Sequence, residues 1–187
     1  MKSKLPLLMI IVLVLIGLVV FFLYQKEKPF LKIPFISSKK MTVQLYFSSK
    51  DGLSLVPEVR QIHRLEDRLH LAKEVINELI KGPTSTNLFP TIPQQTQLHE
   101  LYLHKDIAYV DFSNELIKNH PGGSSGEIQT IFSIVNTLTA NFSEIKYVQF
   151  LVEGKEIETI AGHIDTTMPF QQNLSIGKQE SGKSEIR

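Results

Sequence analysis

The sequence predicts an α+β fold: a single sheet of about five strands, ordered β-β-α-β-β-α-β, with two helices packed on one face, behind an N-terminal transmembrane helix. Five short segments alternate apolar and polar residues with the period of two that half-buried strands show. Two longer segments repeat apolar residues at helical spacing. A run of twenty uncharged residues, 5–24, precedes them all and has the length of a membrane-spanning helix.

The run at residues 5–24 is predicted to anchor the chain in a membrane. Twenty helical residues at about 1.5 Å rise each span about 30 Å, the thickness of a bilayer's hydrocarbon core. A cleaved signal peptide is the alternative, but its apolar region is shorter, and no small-x-small cleavage motif follows Tyr24. Lysines lie on both sides of the run, so charge alone does not decide which side of the membrane holds the domain.

Composition divides the chain into five segments. Residues 1–4 form a short tail expected in the cytoplasm, 5–24 the transmembrane helix, and 25–40 a linker that mixes lysine, proline and serine. Residues 41–172 are predicted to form the folded domain, which is large enough for one hydrophobic core. The polar segment 173–187 is predicted to be a disordered tail.

The net charge of +1 hides an asymmetry between the two ends of the chain. Residues 1–40 carry seven Lys and one Glu, a net +6, whereas residues 41–187 carry 13 basic and 18 acidic side chains, a net −5. Because phosphate binding depends on clustered Lys and Arg, nucleic acid is not an expected partner of the domain. The lysines beside the apolar run are instead expected to contact lipid headgroups.

The chain contains no cysteine. This excludes disulfides, thiolate nucleophiles, zinc–thiolate sites and a thioether-linked lipid within these residues. The six histidines are scattered, and none of them forms a His-x-x-x-His pair. We therefore expect neither a metal site nor a cofactor.

The strands are predicted where β-branched and aromatic residues alternate with polar ones. The five predicted strands are residues 42–47, 55–63, 98–104, 107–112 and 147–157.

The two helices are predicted from their apolar stripes and their end signals. Asp67 is a suitable N-cap for a helix that runs to Lys81, and the Gly-Pro pair 82–83 ends it. The second helix covers residues 124–140, and residues 84–97 are predicted to be a loop. Four polar residues of the second helix are expected to form hydrogen bonds with an adjoining loop: Ser133, Asn136, Thr137 and Thr139.

A Gly-x-Ser-x-Gly string at residues 122–126 resembles the nucleophile elbow of α/β-hydrolases, with Ser124 as the nucleophile. That elbow requires a buried strand immediately before it, whereas the preceding residues 118–121 are Lys-Asn-His-Pro. The interpretation we favour is a capping box, in which Ser124 and Glu127 close the first turn of the second helix. The sequence therefore predicts no catalytic residue.

Several strings distributed through the domain match one known family. They are LYF at 45–47, ELIKGP at 78–83, AYVDFS at 108–113, GSSGE at 123–127, IVNTLT at 134–139, VQFLVEGK at 148–155 and GHI at 162–164. On these residues the domain resembles the GerMN domain of spore germination and sporulation proteins. The match extends from Val43 to about Phe170.

The resemblance implies an extracytoplasmic interaction or scaffold module, not an enzyme, with the folded domain outside the cell membrane. Its expected partners are other envelope or sporulation proteins, with self-association as one possibility. A binding module for a cell-wall-derived ligand is the alternative, and it would require a concave polar pocket. A serine hydrolase using Ser124 is a remote alternative that needs His and Asp partners. The candidate interaction or family-motif positions are Gly82, Pro83, Gly123, Ser124, Ser125, Glu127, Asn136, Thr137, Gly162 and His163.

Overall fold

The computed structural model describes residues 39–176, together with Leu15, Ile16, Leu18 and Phe21. The chain divides into two compact units, Met1–Phe35 and Ile36–Arg187. In the first unit the four described residues are helical and exposed. Among the described residues, none of the helices has both the length and the apolar character needed to cross a membrane.

Four predicted segments lie wholly or mostly outside the described residues. They are the short tail 1–4, the membrane anchor 5–24, of which four residues are described, the linker up to residue 38, and the polar tail from residue 177 onward.

The first sheet of the second unit has three strands. β1 (Lys40–Ser49) pairs antiparallel with β2 (Leu55–His63) along its whole length, from Lys40 opposite His63 to Ser48 opposite Leu55. The two-residue strand β3 (Leu88–Phe89) pairs with the end of β1, so the strand order is β2-β1-β3. β3 lies within the segment predicted to be only a loop.

The second sheet is built around a parallel pair. β4 (Leu98–His104) and β5 (Ile107–Phe112) form the predicted hairpin, and β5 runs parallel to β6 (Tyr147–Val152). Two short strands, β7 (Lys155–Glu156) and β8 (Phe170–Gln171), both pair antiparallel with β6.

Three helices complete the domain: α1 (Arg68–Ile80), the four-residue α2 (Glu115–Lys118) and α3 (Ser124–Asn141). α1 contacts β1 in the first sheet, β4 in the second, and α3. α3 also contacts both sheets, through β1, β2, β6 and β8. The prediction of one sheet with both helices on one face is therefore wrong, because the five predicted strands divide between two sheets that share the helices.

Side chains of α3 explain why the sheets do not merge at β1. The Asn141 amide accepts a hydrogen bond from the Gln44 N–H (2.9 Å) and donates to the Gln44 carbonyl (2.7 Å). The Thr137 hydroxyl accepts from the Tyr46 N–H at 3.0 Å. Backbone groups that a neighbouring strand would otherwise pair with are thus already satisfied by a helix.

α1 forms as its sequence predicts. The Asp67 carboxylate accepts a hydrogen bond from the His70 N–H at 2.9 Å, which confirms the N-cap. At the other end Gly82 adopts a φ of 86°, a left-handed conformation that glycine enters without steric strain. The predicted apolar stripe of this helix consists of Leu69, Ala72, Val75, Ile76, Leu79 and Ile80. Leu69 and Ile80 are only partly buried, and Leu71 is buried in addition.

β6 is shorter than predicted and is buried on both faces. Val148, Phe150 and Val152 face the core, and the residues between them are also buried. The predicted strand 147–157 ends at Val152, because Glu153 and Gly154 take positive φ values (52° and 73°) and turn the chain into β7.

One hydrophobic cluster joins the two sheets and the helices, so the second unit has a single core as predicted. Its fully buried large side chains are Phe47, Phe112, Phe142, Phe150, Leu45, Ile76, Leu79, Leu101, Leu116, Ile131, Ile134 and Leu138.

Candidate functional site

The candidate positions do not converge on one site. Glu127 contacts the loop after β7 that contains Gly162 and His163. The middle of α3 holds Asn136 and Thr137, and its exposed start holds Gly123, Ser124 and Ser125. The remaining pair, Gly82 and Pro83, follows α1.

Glu127 accepts more hydrogen bonds than any other of these residues, and its side chain is fully buried. One carboxylate oxygen accepts hydrogen bonds from the Thr159 hydroxyl (2.5 Å) and the backbone N–H groups of Ile160 (2.9 Å) and Ala161 (2.8 Å). The other accepts from the N–H groups of His163 (2.9 Å) and Ile164 (3.2 Å). One side chain thus holds a whole turn of the loop that spans 159–164.

The predicted capping box is wrong. The N-cap of α3 is Gly123, with no side-chain cap bond, so Ser124 is the first helical residue. Glu127 then lies four residues after the N-cap instead of three, and its carboxylate points to the loop at 159–164. Five donors from that loop replace the single backbone donor that a capping box would offer.

The loop is shaped to present its N–H groups to this carboxylate. Gly162 has a φ of 89°, which reverses the chain between the donors to the two oxygens, and its N–H donates to the Thr159 hydroxyl at 2.7 Å. Burial favours the neutral acid, but the Thr159 hydroxyl and the loop N–H groups outweigh it, so the pKa of Glu127 is lowered. A carboxylate saturated by five donors is a structural anion and is not placed to act as a general base.

Ser124 does not lie in a nucleophile's environment. It is exposed at the start of α3, and within the described part of the chain its hydroxyl bonds to neither a histidine nor a carboxylate. His120, the histidine nearest in sequence, is engaged elsewhere: its Nε2 lies 3.0 Å from the Thr130 hydroxyl and its Nδ1 accepts from the Gly122 N–H at 3.0 Å. The geometry required by the serine-hydrolase alternative is not formed.

The hydrogen bonds of His120 determine which of its ring nitrogens carries the proton. The Thr130 hydroxyl donates to the Thr91 carbonyl at 2.6 Å, so it accepts from His120 and the ring carries its proton on Nε2. Protonation of Nδ1 would remove the acceptor of the Gly122 N–H. Burial lowers the pKa of His120, although the nearby Glu127 carboxylate acts in the opposite direction.

We expect the lowered pKa of His120 to make the domain less stable as the pH falls below about 6.5, the ordinary pKa of histidine in an unfolded chain. Between the folded and unfolded pKa values the unfolded chain binds the extra proton, so stability rises with pH in that window. The measurement is the unfolding free energy between about pH 5 and 7.5, above the titration of most carboxylates. His120→Gln should flatten the slope, and a slope that stays the same in that variant would contradict the assignment.

Asn136 joins α3 to the end of the described chain. Its Nδ2 donates to the Asn173 carbonyl (2.8 Å) and its Oδ1 accepts from the Asn173 N–H (2.9 Å), as a neighbouring strand would. The expectation of a hydrogen bond to an adjoining loop is thus confirmed for Asn136. It is wrong for Ser133 and Thr139, whose hydroxyls donate to carbonyl groups of α3 itself, whereas Thr137 bonds to β1. Asn173, the first residue of the predicted tail, is therefore held against the domain.

Asn136→Ala should release the chain after β8. Two hydrogen bonds to one backbone unit are lost, each worth about 1 kcal/mol, so the loss is about 2 kcal/mol. Amide hydrogen exchange at Asn173 is the direct measurement, and exchange there should become faster. Asn87→Ala, at an exposed position, is the matched control; unchanged exchange at Asn173 in the Asn136 variant would show that the pair does not hold this segment.

A largely buried ionic cluster, which the sequence analysis did not predict, fixes the Gly82 turn. Arg60, on β2, donates to the Gly82 carbonyl (2.9 Å), the Glu78 carbonyl (3.0 Å), the Glu78 carboxylate (3.0 Å) and the Glu58 carboxylate (2.5 Å). Only 13% of its side chain is exposed, and its guanidinium lies over the Phe47 ring at 5.9 Å. The Arg60 cluster comprises Arg60, Glu58 and Glu78.

Glu58 extends the Arg60 cluster into the next loop. Its carboxylate accepts from the N–H groups of Thr84 and Ser85, both at 2.9 Å. Burial raises the pKa of Glu58, but the Ser85 N–H, Arg60 and Thr84 together lower it. A signal for the cluster existed: alternation along β2 puts Glu58 and Arg60 on the same face as buried Ile62.

Fold and contacts together define a small α+β domain whose buried polar residues hold its loops in place. Among the described residues no group of three His, Asp or Glu side chains is placed to hold a metal ion. The family model named Germane, described as sporulation and spore germination, matches residues 44–158, and the chain belongs to this family, as a GerM-like GerMN protein.

Solved structures of the same fold include a protein from Clostridium perfringens described as a candidate lipoprotein. It is 26% identical, with a TM-score of 0.53, over 79% of this chain and 97% of the other. The tandem GerMN domains of the sporulation protein GerM from Bacillus subtilis are 20% identical (TM-score 0.57), over 73% of this chain and 47% of theirs. The first of those domains alone is 21% identical (TM-score 0.52), over 72% and 96%. A comparison with curated proteins finds no significant match.

Proposed function

We propose that this chain is a membrane-tethered, extracytoplasmic protein-interaction module of the cell envelope that acts in sporulation or spore germination. The family supports the process, and the fold supports a module without a reaction centre of its own. The residues that carry the family motifs support this further, because Gly82, Glu127, Asn136 and Thr137 are occupied in holding loops and strand edges.

The tether is proposed to be the apolar run 5–24. The structure from Clostridium perfringens is described as a candidate lipoprotein, which is consistent with an envelope setting for this fold. This chain has no cysteine to carry a thioether lipid, whereas its apolar run has the length of a bilayer span. A short N-terminal tail inside and the domain outside is the orientation that fits this setting.

The open edge of β2 is the observation that carries the interaction role. Within the described residues β2 pairs only with β1, so its other edge offers unpaired backbone groups over nine residues. Val59 is 66% exposed on this strand, and Leu53 in the preceding turn is 63% exposed. A partner strand or helix could bury these side chains while pairing with the edge.

The tether is tested by carbonate extraction of membranes followed by protease treatment of intact spheroplasts. We expect the full chain to resist extraction and its domain to be digested from outside. Arginine at Leu13 and Val14, which interrupts the apolar run, should release the chain. Extraction of the unaltered protein by carbonate would reject the anchor, and protection of the domain would reject the orientation.

The interaction edge is tested by sedimentation of the Ile36–Arg187 unit across a wide concentration range. Self-association through β2 predicts a mass that rises with concentration, and Val59→Arg should abolish the rise. Lys118→Arg, at an exposed position on α2, is the control for a surface arginine. A strict monomer would exclude self-association and leave a different envelope protein as the partner of this edge.

A further inference from the structure

We propose that one end of the domain docks on an anionic phospholipid surface, so that the domain stands on the membrane in a fixed orientation. This end, which we call the basal end, is formed by the start of β1, the end of β2, the start of α1, the β4–β5 turn and the segment after α3. The proposal goes beyond tethering and rests on the proposed anchor only for the direction from which the chain enters.

A continuous chain of contacts brings these five elements together. Lys40 is opposite His63 in the β1–β2 pair, and the Arg64 N–H donates to the Lys39 carbonyl at 2.9 Å. Four residues further on, Arg68 at the start of α1 forms an ion pair of 2.7 Å with Glu144, in the segment after α3.

The same segment reaches the β4–β5 turn. The N–H groups of Lys146 and Tyr147 both donate to the Asp106 carbonyl, at 2.8 and 3.1 Å. Lys105 is the other residue of that two-residue turn. The basal end therefore gathers charged side chains from four separate stretches of sequence, residues 39–40, 64–68, 105–106 and 144–146.

The charge of the basal end differs from that of the rest of the domain. Residues 39–176 carry 12 basic and 16 acidic side chains. Six basic but only four acidic side chains lie at the basal end, which leaves six basic against twelve acidic elsewhere. The basal charges are Lys39, Lys40, Arg64, Arg68, Lys105 and Lys146, with Glu66, Asp67, Asp106 and Glu144.

Most of the positive charge at this end is available to a partner. Arg68 is neutralised by Glu144, but Lys40, Arg64, Lys105 and Lys146 are exposed, and none of them forms an ion pair with another described residue. Asp67 caps α1 and keeps its negative charge, so the basal end carries a net charge of +2 from its six basic and four acidic side chains. A groove of about 590 Å³, bordered by Lys39, Arg64 and Arg68, opens at the same end.

Two observations select a lipid surface as the occupant. The chain enters the domain at Lys39, so the segment that leads back to the apolar run 5–24 begins at the basal end. Basic side chains close to an anionic leaflet are attracted to it by about 1 kcal/mol each, which is about a fivefold change in binding. The net negative charge elsewhere on the domain is repelled by the same surface and so opposes other orientations.

The absence of cysteine provides a direct test with the full chain, because one introduced cysteine gives one labelling site. His104→Cys places a donor fluorophore beside the β4–β5 turn, at the basal end. Lys50→Cys places the fluorophore just after the far end of β1. Because β1 is ten residues long, this label lies roughly 30 Å from the basal end. The protein is reconstituted in vesicles of phosphatidylcholine alone or mixed with phosphatidylglycerol, with acceptor-labelled lipid, and labelled from outside.

We expect energy transfer from the basal label to be higher in the anionic vesicles, and transfer from the distal label to be lower or unchanged. The difference should disappear at about 1 M salt, where the screening length is about 3 Å. Replacing Arg64, Lys105 and Lys146 with glutamine should lower the docked-to-undocked ratio on the order of 100-fold. The same change at Lys50, Lys118 and Lys155, outside the basal end, should not lower it.

Equal transfer from the basal label in neutral and anionic vesicles would overturn the proposal, as would an equal effect of the two triple variants. Failure of the tether gives a different result, since the chain would then be extracted by carbonate. In that case flotation of the same chain with neutral or anionic vesicles decides the question. Flotation only with the anionic vesicles supports basal docking, and no flotation with either overturns it.

Discussion

Replacing Glu127 with glutamine is expected to destabilise the domain by about 3 kcal/mol, the largest effect of a single-atom exchange that we anticipate in this chain. The carboxylate accepts five hydrogen bonds from the 159–164 loop while fully buried. Glutamine removes the charge and places an NH2 donor opposite N–H donors. At least one buried N–H group then has no acceptor.

The measurement is chemical denaturation of the Ile36–Arg187 unit. Glu158→Gln is the matched control, because Glu158 is exposed in the same stretch of chain and its replacement should change the free energy of unfolding by less than about 0.5 kcal/mol. Similar effects of the two substitutions would mean that the loop does not depend on the Glu127 carboxylate.

The lowered pKa of Glu127 adds a pH dependence with a definite sign. A carboxylate whose folded-state pKa is lower than its unfolded-state pKa contributes stability above the unfolded value, about 4.3 for glutamate. That contribution is lost as the pH falls through the folded-state pKa. The destabilisation caused by Glu127→Gln should therefore shrink in acid, and a constant difference between the two proteins down to about pH 2 would contradict the shift.

Elements fixed by neighbouring residues were predictable from the sequence. The Asp67 cap, the Gly82 end of α1 and the strand from residue 55 to 63 depend on spacing within a few residues, and the structure confirms them. The inward face of β1 follows from simple alternation, since Val43, Leu45 and Phe47 are at most 1% exposed.

Features that depend on distant partners were not predictable in this way. The division into two sheets depends on contacts between β1 and α3, such as Gln44 with Asn141, 97 residues apart in sequence. The pattern at the start of α3 suggested a local bond from Glu127, but a loop more than thirty residues later offers five donors. A local sequence motif indicates which hydrogen bond a side chain is able to form, but the bond that does form depends on which donors the fold brings close to it.

Arg60→Met is the second substitution with a large expected effect. It removes the cation that joins β2 to the end of α1 and leaves Glu58 and Glu78 largely buried, with side-chain exposures of 10% and 15%, without their central partner. Breaking a buried ion pair by removing one member typically destabilises a protein by about 3–5 kcal/mol. Since some solvent reaches all three groups, we expect about 3 kcal/mol.

Arg60→Lys should recover only part of this loss. A single ammonium group keeps the charge, but it cannot bridge two carboxylates and two carbonyl oxygens as the planar guanidinium does. Arg64→Met, four residues along and exposed, is the control for loss of an arginine and should shift the denaturation midpoint little. If Arg60→Met is no worse than that control, the Arg60 cluster does not stabilise the turn at Gly82.

Local exchange separates the role of Arg60 from general destabilisation. The Thr84 and Ser85 N–H groups donate to Glu58, which Arg60 itself holds in place. Loss of the guanidinium should therefore speed amide exchange at these two positions more than in the centre of α3. Uniform acceleration throughout the domain would mean that Arg60 contributes only to global stability. The Gly-Pro end of α1 would then keep its shape through the left-handed conformation of Gly82 alone.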